Sequence, residues 1–160
     1  MTTSQTLDRA DIARRIPHGG SMCLLDRLES WDEIAIHCTT SSHALADNPL
    51  RTAGGLLAPN LIEYAAQAMA LHGGLLAPAG AAPSAGFLAS ARNVRMSVAR
   101  FDDVPGDLQV HAQRLSGDAN QVLYTFAVRD VDGTALAEGR AVVVLNTPLA
   151  SDTTTGASTP

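Results

Sequence analysis

The sequence predicts a single α+β domain in which one antiparallel sheet curls around one long apolar helix. Two observations lead to this prediction. The segment 57–74, LAPNLIEYAAQAMALHGG, carries apolar residues around nearly the whole circumference of a helix, so other parts of the protein must enclose it. Short segments of alternating apolar and polar residues follow, separated by turn sequences. An antiparallel sheet with one solvated face is the simplest partner for such a helix.

The chain before the central helix predicts a short helix, two strands and a long loop. Asp8 or Asp11 can begin the short helix. Strands are predicted over 22–28 and 31–40. The polar, turn-rich loop SSHALADNPLRTAGG then leads into the central helix. A loop of this length inside a compact domain is often functional.

The central helix is predicted to begin at about Asn60 and to end at the glycine pair 73–74. Asn60 is a favoured N-cap residue, and Glu63, three positions later, suits a capping box. Gln67 lies one turn beyond Glu63 on the same face. Glu63 therefore has two interpretations, a structural capping residue or a reactive carboxylate at the mouth of an enclosed apolar helix.

Four strands are predicted after the helix, and they close the domain. The second and third alternate clearly between apolar and polar residues. The four lie at about 87–98, 108–113, 122–128 and 135–145. We expect residues 9–146 to form the domain, residues 1–8 to be a mobile N-terminus, and residues 147–160, rich in Thr, Ser, Ala and Pro, to be a disordered tail.

Composition excludes several classes of protein. With 160 residues, 46% of them hydrophobic, the chain can build one core. Its net charge of −5 argues against a nucleic-acid partner. Cys23 and Cys38 lack metal-type spacing and suit a reducing compartment, although a single bridge between them stays open. No signal segment or membrane span is apparent, so we expect a cytoplasmic protein without membrane contact.

Two histidines lie where chemistry could use them. His18 follows a proline and precedes two glycines, and its simplest role is to anchor that turn through hydrogen bonds. His43 lies in the long loop before the helix, where a surface histidine and a functional one are equally plausible interpretations. His37 and His111 fall on the polar faces of predicted strands, as solvated residues do.

Four segments, in one order, resemble the hot-dog-fold 3-hydroxyacyl-[acyl-carrier-protein] dehydratases over roughly residues 16–145. They are IPHGGSMCLLDRL, NLIEYAAQA, LASARNVRM and VPGDL. The loop SSHALADNP keeps only the histidine of the family's Gly-His-Phe-Pro motif, and Leu57-Ala58 replaces the family's Pro-Gly before the helix. The combination of SHALADNPLR and EYAAQAMALHGG is most similar to dehydratase-like proteins of bacterial aryl-polyene and xanthomonadin-type pigment clusters.

The resemblance implies a set of catalytic roles. His43 would be the base that removes the C2 proton, and Glu63 the acid that protonates the leaving hydroxyl, with a pKa raised by its apolar surroundings. The backbone amide at Ala58 would bind the thioester oxygen. Gln67 and His18 would support the site.

The resemblance also implies partners. The histidine and the acid would come from different subunits, which makes a homodimer, or a heterodimer with a related hot-dog subunit, necessary for activity. No metal or organic cofactor is expected, because an acyl carrier protein brings the substrate on its phosphopantetheine arm. The arginines at 92, 95 and 100 form a local basic group where such an acidic carrier could dock, although a solvated strand face is the simpler interpretation.

Two alternatives remain open at this stage. Hot-dog thioesterases also use a carboxylate on the central helix, so Glu63 by itself does not exclude hydrolysis. The altered loop around His43 also fits a dehydratase-like subunit without activity, which would pair with an active relative or bind acyl carriers.

Overall fold

A computed structural model describes residues 5–80 and 86–145 as one sheet wrapped around one long helix. Within these residues there are seven strands and two α-helices. In chain order they are β1 (Leu7–Asp8), α1 (Arg9–Ala13), β2 (Arg27–Trp31), β3 (Ala35–Thr40), α2 (Leu61–Leu76), β4 (Gly86–Met96), β5 (Leu108–Gly117), β6 (Gln121–Arg129) and β7 (Ala135–Leu145).

All neighbouring strands are antiparallel, in the order β1-β2-β3-β5-β6-β7-β4. Helix α2 packs on β3, β5 and β6 at the centre of this sheet. The predicted α+β hot-dog architecture is therefore confirmed. Strand β4 lies at one edge although it follows the helix directly, because β5, β6 and β7 come between it and the first three strands.

The core forms between α2 and the inner face of the sheet. Tyr64, Ala65 and Ala68 of α2 have no exposed surface, as the all-round apolar pattern predicts. The alternation predicted for β6 is also confirmed. Its buried side chains are Val122, Tyr124, Phe126 and Val128.

Helix α2 runs through the glycine pair that was predicted to end it. It continues to Leu76 and is followed by Ala77 and Pro78. A glycine inside a helix costs only about 1 kcal/mol relative to alanine. Gly74 packs close to a distant segment, since a Cβ at this position would lie 3.2 Å from the Arg15 carbonyl oxygen.

The strand predicted over 22–28 is wrong in its placement. A 3-10 turn occupies Gly20–Met22, and the strand begins only at Arg27. The next strand is also shorter than predicted, because Asp32 Oδ1 accepts hydrogen bonds from the amides of Ile34 and Ala35, both at 2.8 Å. This side-chain turn separates β2 from β3.

The predictions about the termini fall partly outside the described residues. The proposed disordered tail, 147–160, and residues 1–4 of the N-terminus lie outside them. Leu7 and Asp8, from the same N-terminal stretch, form β1 against β2, and the Asp8 side chain caps α1 by accepting from the Asp11 amide at 2.9 Å.

The predictions from composition also concerned the two cysteines and membrane-spanning segments. Cys23 and Cys38 are both buried and free. No helix among residues 5–80 and 86–145 is long and apolar enough to cross a membrane.

The segment that leads into α2 is held by a carboxylate that is distant along the chain. The Asp102 side chain, 6% exposed, accepts from the Leu56 amide at 3.0 Å. Gly55 has a φ of +88°, and a Cβ there would lie 2.5 Å from an Asp102 oxygen. Only glycine fits both this backbone conformation and this approach.

Candidate functional site

The first turn of α2 brings Glu63 against a histidine from the N-terminal segment. His18 Nε2 lies 2.9 Å from Glu63 Oε1. Gln67 Nε2, one helical turn later, lies 3.3 Å from the same oxygen. The side chains of His18 and Glu63 are 28% and 33% exposed, so this pair can be reached from solvent.

The pKa of Glu63 is shifted in the direction opposite to the one expected. The hydrogen bond from His18 lowers it, burial opposes this, and the hydrogen bond from Gln67 lowers it further. The expected rise is therefore wrong for this chain, because two N–H donors stabilise the carboxylate more than partial burial destabilises it.

Gln67 explains why the segment bearing His18 lies against the helix. Its side chain is fully buried. Its Oε1 accepts from the Leu24 amide at 2.8 Å, and its Nε2 donates to the Met22 carbonyl at 2.7 Å. These bonds satisfy the backbone of an apolar segment that belongs to no strand, and they hold it beside the first turn of α2.

Glu63 is not part of a capping box. The Asn60 side chain makes no capping hydrogen bond, and a 3-10 turn over Ala58–Asn60 precedes the helix instead. Asn60 does stand at the predicted N-cap position, directly before Leu61, but the capping hydrogen bond expected from its side chain is absent. The capping interpretation of Glu63 loses its partner, since its carboxylate faces His18 and Gln67.

His43 lies in the loop between β3 and α2 and is almost completely buried, with 1% of its surface exposed. Its Nε2 is 2.9 Å from the Val104 carbonyl oxygen. A carbonyl can only accept, so Nε2 carries the hydrogen. Nδ1 is buried and has no hydrogen-bond partner in the described part of the chain. His43 therefore hydrogen-bonds to the turn before β5 rather than to Glu63.

A buried polar network fixes the loop that carries His43. Ser42 Oγ donates to the Leu24 carbonyl at 2.7 Å and lies 3.0 Å from the Tyr64 hydroxyl. Asn48 Nδ2 donates to the Ser42 carbonyl at 2.9 Å and to the Tyr64 hydroxyl at 3.0 Å. The loop is thus attached to α2 at the residue immediately after Glu63. The sequence interpretation missed Tyr64 and Asn48, and the signal was a phenol in an otherwise apolar helical stretch.

The proposed oxyanion donor has a partner within the chain. The Ala58 amide donates to the Ala99 carbonyl at 2.9 Å, beside the bridge between Leu57 and Arg100. A thioester oxygen could bind this amide only if that hydrogen bond opened.

The three arginines of the predicted basic group, at 92, 95 and 100, have different surroundings in the structure. Arg100 donates to Asp102 through two nitrogens, at 3.0 and 2.6 Å. Its partner is thus the carboxylate that accepts from the Leu56 amide before α2. Arg92 and Arg95 lie on the edge strand β4, and Arg92 is paired across to Arg140 of β7. The sequence interpretation missed Arg140, which only the strand register brings beside Arg92.

Comparisons with known proteins agree with this architecture. A family model described as ApeP-like, for ApeP dehydratase, matches residues 10–154. No match was found among curated proteins.

Solved structures share the fold. The dehydratase heterocomplex ApeI:P from Xenorhabdus doucetiae is similar with a TM-score of 0.76 and 24% identity, covering 85% of this chain and 91% of that one. A thioesterase from Haemophilus influenzae has a TM-score of 0.62 and 12% identity, covering 94% and 97%. A hypothetical thioesterase with coenzyme A from Streptococcus pneumoniae has a TM-score of 0.54 and 12% identity, covering 74% and 83%.

Proposed function

Because the chain belongs to the ApeP-like dehydratase family, we propose that it removes water from a 3-hydroxyacyl thioester carried by an acyl carrier protein. The observation that supports this most directly is a solvent-reachable carboxylate held by two N–H donors in the first turn of the enclosed helix. The pathway we propose is aryl-polyene-type pigment biosynthesis, and the compartment the cytoplasm.

His43 and Glu63 are the proposed proton-transfer groups. The C2–H bond breaks and its proton passes to His43 Nδ1, which has a lone pair when Nε2 donates to Val104. The C3–O bond then breaks, the hydroxyl leaves as water with a proton from Glu63, and the C2–C3 double bond forms. Since Glu63 favours the ionised form in the free chain, it must bind a proton before the step. An acyl chain that excludes water from the carboxyl favours that uptake.

The remaining groups assist this reaction in the proposal. The Ala58 amide would leave Ala99 to bind the enolate oxygen as charge develops. No metal or organic cofactor takes part, since the phosphopantetheine arm of the carrier protein delivers the thioester. Arg92 and Arg95 would receive the acidic carrier, with a smaller contribution from Arg100.

A second hot-dog subunit would complete the site. Strand β4 presents an eleven-residue edge, on which Phe87 and Leu88 are 42% and 39% exposed. Unpaired edges of this length invite pairing with another strand. The similar ApeI:P assembly is a heterocomplex, so the partner is either a second copy or a related hot-dog subunit.

Hydrolysis is the second candidate, and the two N–H donors that face Glu63 Oε1 and lower the pKa of its carboxyl are the specific observation in its favour. A carboxylate with a lowered pKa suits activation of a water molecule better than proton donation. A third possibility is a dehydratase-like subunit that binds carriers without turnover.

The test is mass spectrometry of a 3-hydroxyacyl carrier-protein substrate. We expect loss of one water, and we expect His43→Ala and Glu63→Gln each to lower the rate by roughly 10²–10⁴-fold in a folded protein. His37→Ala is the matched control, because His37 stacks on His111 on β3 and β5. Release of free 3-hydroxy acid would instead establish hydrolysis. An unchanged substrate, with carrier binding retained and the related hot-dog subunit also present, would indicate the non-catalytic subunit.

A further inference from the structure

The two oxygens of the Glu63 carboxylate have different environments. His18 Nε2 and Gln67 Nε2 both lie within hydrogen-bond distance of Oε1. Oε2 has neither of these contacts, and a third of the side chain remains exposed. One oxygen is thus held by the protein, and the other is left for an incoming group.

We propose that His18 is a positioning residue for Glu63: together with Gln67 it holds Oε1, so that Oε2 is the oxygen that exchanges a proton with the substrate. The proposal rests on the proposed function only in taking Glu63 as the reacting carboxyl. It assigns His18 a role beyond anchoring the turn.

The surroundings of the two ring nitrogens indicate which of them carries the hydrogen in His18. Its Nδ1 is buried without a partner in the part of the chain that the structure describes. A doubly protonated ring would bury an N–H without an acceptor, which is costly, whereas the neutral ring with hydrogen on Nε2 leaves only a lone pair there. Nε2 is then already a donor to Glu63. The Nδ1 of His43 is buried in the same way, but the Nε2 of His43 donates to a backbone carbonyl and not to the reacting carboxylate. The contact with Glu63 is therefore what assigns His18 to positioning.

The same hydrogen bond governs when Glu63 ionises. The groups that act on its pKa are His18, Gln67 and the surrounding apolar burial. With His18 removed, the largest lowering influence is lost while burial remains, so the pKa of Glu63 rises. His18 thereby determines both which oxygen is free and the pH at which it changes protonation state.

The experiment is a ¹³C NMR titration of side-chain-labelled glutamate in wild type, His18→Ala and His18→Gln. The chain has four glutamates. The carboxyl resonance that disappears in Glu63→Gln is the one that belongs to Glu63. We expect the Glu63 midpoint to rise in His18→Ala and to return toward wild type in His18→Gln, whose amide can again donate to Oε1. His37→Ala should leave the midpoint unchanged.

The pH profile of turnover provides the second readout. The limb that belongs to Glu63 should move to higher pH in His18→Ala, in step with the NMR midpoint. A folded His18→Ala with an unshifted Glu63 midpoint overturns the proposal. So does a turnover lost equally at every pH and not recovered by His18→Gln, which would make His18 a proton-transfer group itself. If wild type dehydrates nothing but the midpoint still shifts, the dehydratase assignment fails and the role of His18 stands.

Discussion

Replacing Tyr64 with phenylalanine tests whether the loop carrying His43 is fixed to α2 through one hydroxyl. Tyr64 is fully buried. Its hydroxyl accepts from Asn48 at 3.0 Å and lies 3.0 Å from Ser42 Oγ. The single Ser42 hydroxyl hydrogen is used on the Leu24 carbonyl, so Tyr64 is the donor to Ser42. Tyr64→Phe therefore removes two buried hydrogen bonds and no packing volume.

The expected loss follows from those two bonds. Each contributes about 1 kcal/mol to the free energy of unfolding, so Tyr64→Phe should cost about 2 kcal/mol. For a protein of this length that corresponds to a fall in Tm of roughly 4–8 °C. Tyr124→Phe is the matched control, since its hydroxyl makes one buried hydrogen bond, to His72 Nδ1 at 2.9 Å. It should cost about half as much.

The two variants differ in what they should do to turnover. Tyr64→Phe loosens the loop next to His43 and should lower kcat, whereas Tyr124→Phe acts away from the loop and should not. Urea unfolding at one fixed protein concentration measures stability, because dimer formation makes stability depend on concentration, and mass spectrometry measures dehydration. If both variants keep wild-type kcat, or if Tyr64→Phe unfolds like wild type, the hydroxyl does not position the loop.

Three further outcomes are expected. Gly55→Ala should displace Asp102 and lower Tm, because a Cβ would lie 2.5 Å from its carboxylate at a φ of +88°; an unchanged Tm contradicts the close approach. Gln67→Leu should free the Met22–Leu24 backbone from α2 and lower both stability and turnover by loosening the His18 segment, as urea unfolding and the dehydration assay would report. Burial lowers the pKa of His72, and burial with the neighbouring His37 lowers that of His111 to about 4. Histidines of the unfolded chain, with a pKa of about 6.5, therefore bind protons at a higher pH than these two do in the folded chain. For these groups the free energy of unfolding should be constant above about pH 6.5 and should decline as the pH falls from there toward about 4. Urea midpoints across this range measure the decline.

The fold could be predicted because its signals are local and repeated. The alternation of Val122, Tyr124 and Phe126 fixes which face of β6 is buried, whatever the rest of the chain does. The apolar circumference of α2 likewise requires enclosure. Element ends were less predictable. Helix α2 continues past Gly73 to Leu76, and Gly74 there lies close to the Arg15 backbone, a distant segment that no local rule takes into account.

Some residues of the candidate site could be predicted from the sequence, but the contacts between them could not. Glu63 and Gln67 stand out as polar residues in an apolar helix, but their partners lie far away along the chain, as with the 43 positions between Leu24 and Gln67. No spacing rule brings His18 to Glu63. The local rule for a capping box even favoured a different partner, and the 3-10 turn before α2 removed the geometry that the rule requires.

His18 and His43 differ in the group to which Nε2 donates, and this difference indicates different roles in the proposed reaction. His43 donates to a backbone carbonyl, so its hydrogen bond orients the ring without linking it to another proton-transfer group. His18 donates to a carboxylate and so changes the chemistry of that carboxylate. In both rings Nδ1 is buried and lacks a partner in the described residues. A substrate can use the lone pair of His43 only if space opens at Nδ1. Because the network through Tyr64 holds that loop on α2, such an opening has to come from the substrate or a second subunit, which is why we expect the assembled dimer to be the active form.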